Sequence, residues 1–179
     1  MAVAKKLKTI VVLPAYNAEK TLEKTVREIP QEVVEEIILV DDKSHDKTVK
    51  IARKLNLTVF RHRKNRGYGA NQKTCYLLAL KHHPDIVVML HPDYQYDPKI
   101  IKYFVEFISE GRFDVMLGSR IRSRHETLTS GMPLYKYLGN RFLTIIENFV
   151  SGYNLSEWHT GMRAYKREVL ENIDFLKNS

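Results

Sequence analysis

At 179 residues, with 44% apolar and 28% charged side chains, the chain has the size and composition of one soluble globular domain with a proper core, over residues 1–179. Its single cysteine, Cys75, excludes an intramolecular disulfide and fits a reducing compartment, and no metal-type Cys/His spacing, signal-peptide stretch or bilayer-spanning run is present. The net charge of +8 points to anionic partners, whether nucleotide phosphates, anionic lipid or nucleic acid, with the basic residues clustered in Arg61 to Arg66 and Arg120 to Arg124.

Lys8 to Leu13 is β-branched and apolar and reads as a first strand stopped by Pro14. Asn17 offers an N-cap for a helix over Ala18 to Ile29, with Leu22, Val26 and Ile29 on one face. Glu36 to Val40 is a second buried strand ending at Asp41-Asp42, and Ser44 or Asp46 caps a helix running to Leu55. Leu57 to Arg61 is a third strand, followed by the glycine-containing loop Asn65 to Ala70 and a helix over Ala70 to His82 that buries Cys75 as a structural thiol. Ile86 to Leu90 is a fourth strand, Asp97 to Ser109 a helix, and Asp114 to Gly118 a fifth strand. This alternation predicts an α/β, doubly wound, mostly parallel sheet with helices on both faces.

Arg120 to Met132 lacks periodicity and reads as a mobile loop of the binding or lid type. Leu134 to Val150 is helical, with Tyr137, Leu138, Phe142, Ile145, Ile146, Phe149 and Val150 apolar, and Lys136 and Arg141 flanking. A core helix accounts for this pattern best, and an interfacial helix on a membrane surface is the sharper alternative. Glu157 to Arg163 is polar, Ala164 to Phe175 is a short strand and helix, and the chain reads as cut after Ser179.

Three strand ends carry ligand-type groups: Asp41-Asp42, Asn65 to Ala70, and His91-Pro92-Asp93-Tyr94-Gln95. In open α/β sheets, ligands bind beyond the carboxyl ends of the strands, so these groups converge on one crevice. The strand-end carboxylates suit a ribose or a base N–H. Gly67 and Gly69 permit close backbone approach, the helix N-terminus behind them suits a phosphate, and Arg66 adds charge. Asp93 supplies a hard oxygen for Mg²⁺ or Mn²⁺, and alternation along an extended backbone places His91, Asp93 and Gln95 on one side. The glycine loop is neither G-x-G-x-x-G nor a Walker loop. The set points to a nucleotide-diphosphate site without naming a reaction.

With Val12-Leu13-Pro14-Ala15-Tyr16-Asn17, Val40-Asp41-Asp42-Lys43-Ser44-His45-Asp46-Lys47-Thr48, Asn65-Arg66-Gly67-Tyr68-Gly69-Ala70, His91 to Pro98, Gly118-Ser119-Arg120 and Thr160-Gly161-Met162-Arg163, the chain resembles the family 2 glycosyltransferases, inverting enzymes of GT-A fold. The glycine loop and the Thr-Gly-Met-Arg segment look most like dolichyl- or polyprenyl-phosphate sugar synthases. The resemblance implies that Pro14, Ala15 and Tyr16, with Asn17, line the nucleoside site, that Asp41 or Asp42 binds base or ribose, and that Arg66, Gly67, Gly69 and Ala70 belong to the donor site. It implies that His91, Asp93 and Gln95 hold a divalent metal, Mn²⁺ or Mg²⁺, that Arg120 and Arg163 hold anionic groups, and that the helix near 134–150 faces the membrane. The family's metal motif is Asp-x-Asp, and His91 departs from it. His91 could ligate Mn²⁺, hydrogen-bond a phosphate as a cation, or mark a weakened relative; the first two together fit the retained Asp93 and Gln95.

The implied reaction moves a sugar from a GDP- or UDP-sugar to a polyprenyl or dolichyl phosphate, in cell-envelope or glycan biosynthesis. It places the protein in the cytoplasm with peripheral contact at the inner face of a membrane. A phosphate acceptor needs no general base. A saccharide hydroxyl would need one, and Glu157 and His159 are the candidates, although an exposed loop with a helix cap explains them equally. A non-catalytic nucleotide-sugar-binding module is a second class of reading. Nucleic acid is not an expected partner, because the basic clusters lack an aromatic stacking platform. A sugar nucleotidyltransferase would need a glycine-rich loop where Pro14 to Asn17 stand.

Overall fold

A computed structural model describes residues 7–119 and 134–177. In chain order these form β1 (Thr9–Ala15), α1 (Leu22–Arg27), β2 (Glu36–Asp41), α2 (Thr48–Lys54), β3 (Thr58–Arg61), α3 (Tyr68–Lys81) and β4 (Ile86–Leu90). A 3₁₀ turn (Pro98–Ile100), α4 (Ile101–Ser109), β5 (Val115–Leu117), α5 (Leu134–Ser151), β6 (Met162–Lys166) and α6 (Arg167–Asn172) follow. The strands make one sheet in the order β3-β2-β1-β4-β6-β5. β1 pairs parallel with β2 and β4, β2 pairs parallel with β3, and β6 returns antiparallel to β4.

Alternation along the central strands sorts the core into two layers. Val11 and Leu13 of β1, with Ile37, Leu39, Val88 and Leu90, pack against Leu22 and Val26 of α1, Ala52 of α2, and Ile101, Phe104, Val105 and Ile108 of α4. Ile10 and Val12, with Ile38, Val40, Val87 and Met89, pack on the other face against Cys75, Tyr76 and Ala79 of α3 and Leu170 of α6. With both faces covered, β1 and β4 are buried from end to end, as their unbroken apolar runs demand. The doubly wound expectation holds. Cys75 is buried in this second layer, and burial pushes its thiol well up, as expected of an inert structural cysteine.

Several boundaries differ from the sequence reading, for local reasons. Pro14 lies inside β1, paired with Val40. Ala15 O points to β2, where Asp42 N donates to it, so Pro14, one residue earlier, faces β4. The β1–β4 ladder has ended at Val12, so the missing proline N–H interrupts nothing. Asn17 does not cap α1; its backbone is left-handed at φ 52, and a turn from Ala18 delays the helix to Leu22. α2 begins at Thr48, whose N–H and hydroxyl both donate to Asp46 Oδ1 at 2.9 and 2.6 Å. α3 begins at Tyr68, two residues early, because Gly67 at φ 81 turns the chain into the helix. Asp97 starts the next segment as expected, accepting from Lys99 N, but its first turn is 3₁₀. The expected loop Arg120 to Met132 lies outside the described residues.

The chain divides into two compact units, one of residues 1–116 and 162–179, the other of residues 117–161. The second is built on α5. Asn148 folds the following segment back on the helix, donating to Leu155 O at 2.9 Å and accepting from Leu155 N at 3.0 Å and Trp158 Nε1 at 2.7 Å. Arg141 Nη1 reaches Ser156 O at 3.2 Å. Tyr137 and Thr144 are buried, but Leu138, Phe142, Ile145, Phe149 and Val150 are exposed, Phe149 to 89%. The core-helix expectation therefore fails for that side of α5, because the turns that follow cover the polar face rather than the apolar one. Among the described residues no helix is long and apolar enough to cross a membrane.

Candidate active site

The parallel strands β1 to β4 all end at one edge of the sheet, and β6 begins there, so the ends of four strands and the start of a fifth lie along this edge. The loops after β1 and β2 are stapled together. Asn17 N donates to Ser44 Oγ at 2.8 Å, and Asn17 Oδ1 accepts from His45 N at 2.9 Å. Ala18 N donates to Thr48 Oγ1 at 2.7 Å, and Glu19 N to Asp46 Oδ2 at 3.0 Å. Asp46 pays for this with partial desolvation, which raises its pKa, but the bonds from Thr48 and Glu19 outweigh it and hold the carboxyl below its ordinary range. Ala15 is buried beside this staple, and Tyr16 presents an exposed ring.

Asp41 and Asp42 are both buried, and protein donors already engage their carboxylates. Asp41 takes Ser44 N at 3.1 Å and Arg61 Nε at 3.0 Å, and Arg61 Nη2 continues to Ser44 O at 2.7 Å. Asp42 Oδ1 meets His62 Nδ1 at 2.7 Å and Arg66 N at 2.8 Å; its Oδ2 accepts from Gly67 N at 2.9 Å. The aspartate the sequence offered to a base or ribose is thus the clasp of the glycine loop. His62 and Asn71 were missed from sequence. The pairing of Asp41 with Arg61 places His62 beside Asp42, a consequence of register that sequence spacing does not display. Asn71 Nδ2 donates to Val40 O at 3.1 Å, tying α3 to the end of β2.

Because Asp42 takes the amides of Arg66 and Gly67, the donors left for an anion are in the first turn of α3, Tyr68 to Ala70, where the Gly67 N-cap supplies no side-chain bond. A Cβ at Gly69 would meet nothing within 4 Å, so this turn faces open space. Arg66 is exposed next to it.

His91, Asp93 and Gln95 do not lie along an extended backbone. The segment is a tight turn with Tyr94 left-handed at φ 61, and Asp93 Oδ1 accepts from Gln95 N at 3.1 Å. This turn is anchored to α1: Thr21 Oγ1 donates to Pro92 O, the Tyr94 hydroxyl donates to Glu28 Oε2 at 2.6 Å, and Lys24 Nζ sits 3.7 Å over the Tyr94 ring. His91 Nε2 meets the Tyr68 hydroxyl at 3.0 Å, their rings edge-to-face at 5.0 Å. Among the described residues no three His, Cys, Asp or Glu side chains converge into a metal cage. The donor set nonetheless fits a divalent ion that brings most of its coordination as phosphates and water, since Asp93 is exposed and, among the described residues, only its Oδ1 is tied down.

Arg163 stands on β6 opposite Met89, two residues before His91. Burial weighs against its charge, but Tyr165, Tyr76 and Tyr68 around it outweigh burial and raise its pKa. Its charge in turn opposes the rise that burial causes at Tyr68. Arg120 lies outside the described residues. Glu157 and His159 belong to the second unit. Glu157 is buried, not on an exposed loop, with Asn140 Nδ2 at 3.5 Å, and His159 Nε2 pairs with Glu147 Oε1 at 3.2 Å.

The chain is 35% identical to an uncharacterized protein of Methanocaldococcus jannaschii, over 91% of this chain and 66% of that one. It is 31% identical to a dolichyl-phosphate hexose transferase of Haloferax volcanii, covering 94% and 71%. It is 29% identical to a UDP-N-acetylglucosamine–dolichyl-phosphate N-acetylglucosaminyltransferase of Methanococcus voltae, covering 89% and 70%. The chain therefore spans roughly two thirds of the curated relatives it matches. Its fold matches glucosyl-3-phosphoglycerate synthase of Mycobacterium tuberculosis, solved with Mn²⁺, UDP-glucose and glycerol 3-phosphate, with a TM-score of 0.69 at 20% identity over 91% of this chain and 58% of that one. The profile of glycosyl transferase family 2 matches residues 10–174, nearly the whole sheet and every strand end described above. By that match the chain is a member of glycosyl transferase family 2 and has its GT-A-type α/β fold.

Proposed function

We propose that residues 1–179 form a glycosyltransferase catalytic domain that moves a sugar, with inversion, from a GDP- or UDP-sugar to a polyprenyl or dolichyl phosphate. The observation that carries this reading is the meeting, at one sheet edge, of an exposed aspartate, a buried-side cation and an uncapped helix N-terminus: Asp93, Arg163 and Tyr68 to Ala70. Pro14, Ala15 and Tyr16 would bear on the nucleoside. Asp93, with His91 and Gln95, would hold a divalent ion, Mn²⁺ or Mg²⁺, and that ion when bound would supply charge neutralisation at the donor diphosphate. The matched structure was solved with Mn²⁺ and UDP-glucose, which supports this set.

Arg163 and the first-turn amides of α3 act on charge that develops as the nucleoside diphosphate departs, and they are held in place before reaction begins. The acceptor oxygen attacks the anomeric carbon from the opposite face. An anionic phosphate acceptor needs no base, which agrees with a Glu157 that is buried and hydrogen-bonded. The relatives from Haloferax and Methanococcus are named for dolichyl phosphate, and the exposed apolar side of α5 suits contact with a membrane that carries such a lipid. A saccharide-hydroxyl acceptor is the second reading, favoured by the His159–Glu147 pair, which has the make-up of an oriented general base.

The test is transfer from UDP-glucose, UDP-N-acetylglucosamine and GDP-mannose to a polyprenyl phosphate in detergent with MnCl₂. One donor should support transfer, and Arg163→Ala should lower it on the order of 10²-fold. Transfer to a saccharide alone would favour the second reading. Binding without transfer to either acceptor would leave a non-catalytic module.

A further inference from the structure

On the nucleotide-sugar reading, we infer that His62 is a positioning residue for donor binding, acting through Asp42 on the glycine loop. Three pieces of chain, the ends of β2 and β3 and helix α3, meet at this histidine. Its Nδ1 lies 2.7 Å from Asp42 Oδ1 at the end of β2, and its Nε2 lies 3.0 Å from Thr74 Oγ1 on the second turn of α3. Its own N–H donates to Asp41 O at 2.9 Å, and the Phe60 ring meets it edge-on at 5.7 Å. The ring is buried, so neither nitrogen makes these contacts in competition with bulk water.

The direction of the first bond follows from chemistry. An ionised carboxylate only accepts, so Nδ1 carries a proton and donates it to Asp42. Among the described residues Asp42 has no other side-chain donor; its remaining bonds run to the amides of Arg66 and Gly67. Those amides lie in the residues that lead into α3, and Gly67, at φ 81 and ψ 166, is its N-cap. The orientation of the Asp42 carboxylate therefore sets where the first turn of α3 points. His62 fixes that orientation from one side, while Thr74, whose hydroxyl returns to Ala70 O at 2.9 Å, ties the same ring to the helix being positioned. The result is a closed brace: β3 holds β2's aspartate, the aspartate holds the loop, the loop starts the helix, and the helix holds the histidine.

The brace predicts a defect in binding the donor rather than in the chemical step. His62→Phe fills the ring's space without a donor, and His62→Gln keeps an N–H. Calorimetry with UDP and with GDP, each with MnCl₂, should show the dissociation constant of the nucleotide that binds raised at least tenfold in His62→Phe. The donor KM should rise in parallel with kcat within threefold, and His62→Gln should recover most of the loss. Hydrogen exchange at the Arg66 and Gly67 amides should quicken at least tenfold in His62→Phe while Val12 and Val88 stay protected. If the phenylalanine chain does not fold, Thr74→Val, which removes the Nε2 partner together with the hydroxyl's bond to Ala70 O and leaves the His62–Asp42 bond in place, should quicken the same two amides at least threefold.

Unchanged exchange at Arg66 and Gly67 overturns the brace, as does a fall in kcat with KM unmoved, or an equal loss in the phenylalanine and glutamine chains. A wild-type protein that binds neither UDP nor GDP overturns the nucleotide-sugar reading instead, and the exchange measurement still decides the brace.

Discussion

Removing the Asp42 carboxylate should destabilise the protein far more than removing any surface charge. Asp42→Ala withdraws one acceptor group from three donors: His62 Nδ1 at 2.7 Å, Arg66 N at 2.8 Å and Gly67 N at 2.9 Å. A hydrogen bond to a charged group contributes about 1.5–3 kcal/mol, and the two loop amides recover part of that from water because their residues are exposed. His62 cannot recover it, being buried. Leaving the buried His62 donor unsatisfied adds about 1–3 kcal/mol to the lost bonds, so about 3–5 kcal/mol is the expected total. At roughly 2–4 °C per kcal/mol for a chain of this size, Tm should fall by about 6–20 °C in a circular-dichroism melt. Asp42→Asn, which keeps one acceptor oxygen, should lie between. Glu23→Ala, which removes the partner of the exposed Arg27, is the control and should melt within about 2 °C of wild type. If Asp42→Ala also melts within about 2 °C, the aspartate does not hold the loop and the reasoning fails.

Asp93→Asn should lower transfer on the order of 10²-fold or more at an unchanged melting temperature, since Asp93 is exposed and, among the described residues, bonds only within its own turn. His91→Asp should shift the metal preference from Mn²⁺ towards Mg²⁺, measured as the ratio of rates with the two ions; an unchanged ratio removes His91 from the ligand set. Tyr94→Phe loses the 2.6 Å bond to Glu28 and should cost about 1 kcal/mol in urea unfolding, with a larger proportional loss of transfer because the turn carrying Asp93 loosens. Asp46, whose carboxyl is held below its ordinary range, stabilises the staple between the first two loops while ionised, so its contribution is present above about pH 4 and is lost as pH falls through the lowered value. The melting deficit of Asp46→Asn at pH 7 should therefore close below about pH 4; a deficit independent of pH refutes the assignment.

The fold was legible because its central strands are buried on both faces. Thr9 to Leu13 and Ile86 to Leu90 have no polar side to hide, and only a doubly covered sheet accepts such runs. The boundaries were less legible where a single residue's effect depends on a neighbour distant in sequence. Pro14 normally ends a strand, but here the ladder on its side has already stopped. Asn17 is a good helix cap, but Ser44 and His45, on another loop, claim its backbone and side chain. The periodicity of α5 shows an apolar stripe, and a stripe alone does not say whether protein or something else covers it.

The site was legible as a set of strand ends and illegible as a set of partnerships. Sequence spacing finds Asp41-Asp42 because two carboxylates after an apolar run are conspicuous, and besides the local turn in which Ser44 N donates to Asp41 it shows none of the donors that engage them. Their other protein partners, Arg61, His62, Arg66 and Gly67, arrive from twenty or more residues away. The same holds for His91, whose neighbour Tyr68 comes from the glycine loop. Burial separates the two kinds of aspartate more sharply than motif does. Asp41 and Asp42 are buried and engaged by protein donors, whereas Asp93 is exposed on a turn with a left-handed Tyr94 that α1 holds from behind. A carboxylate exposed on a turn with a left-handed tyrosine is, on the reading proposed above, the one that would meet the metal-bound donor, whereas Asp41 and Asp42 serve the loops around it.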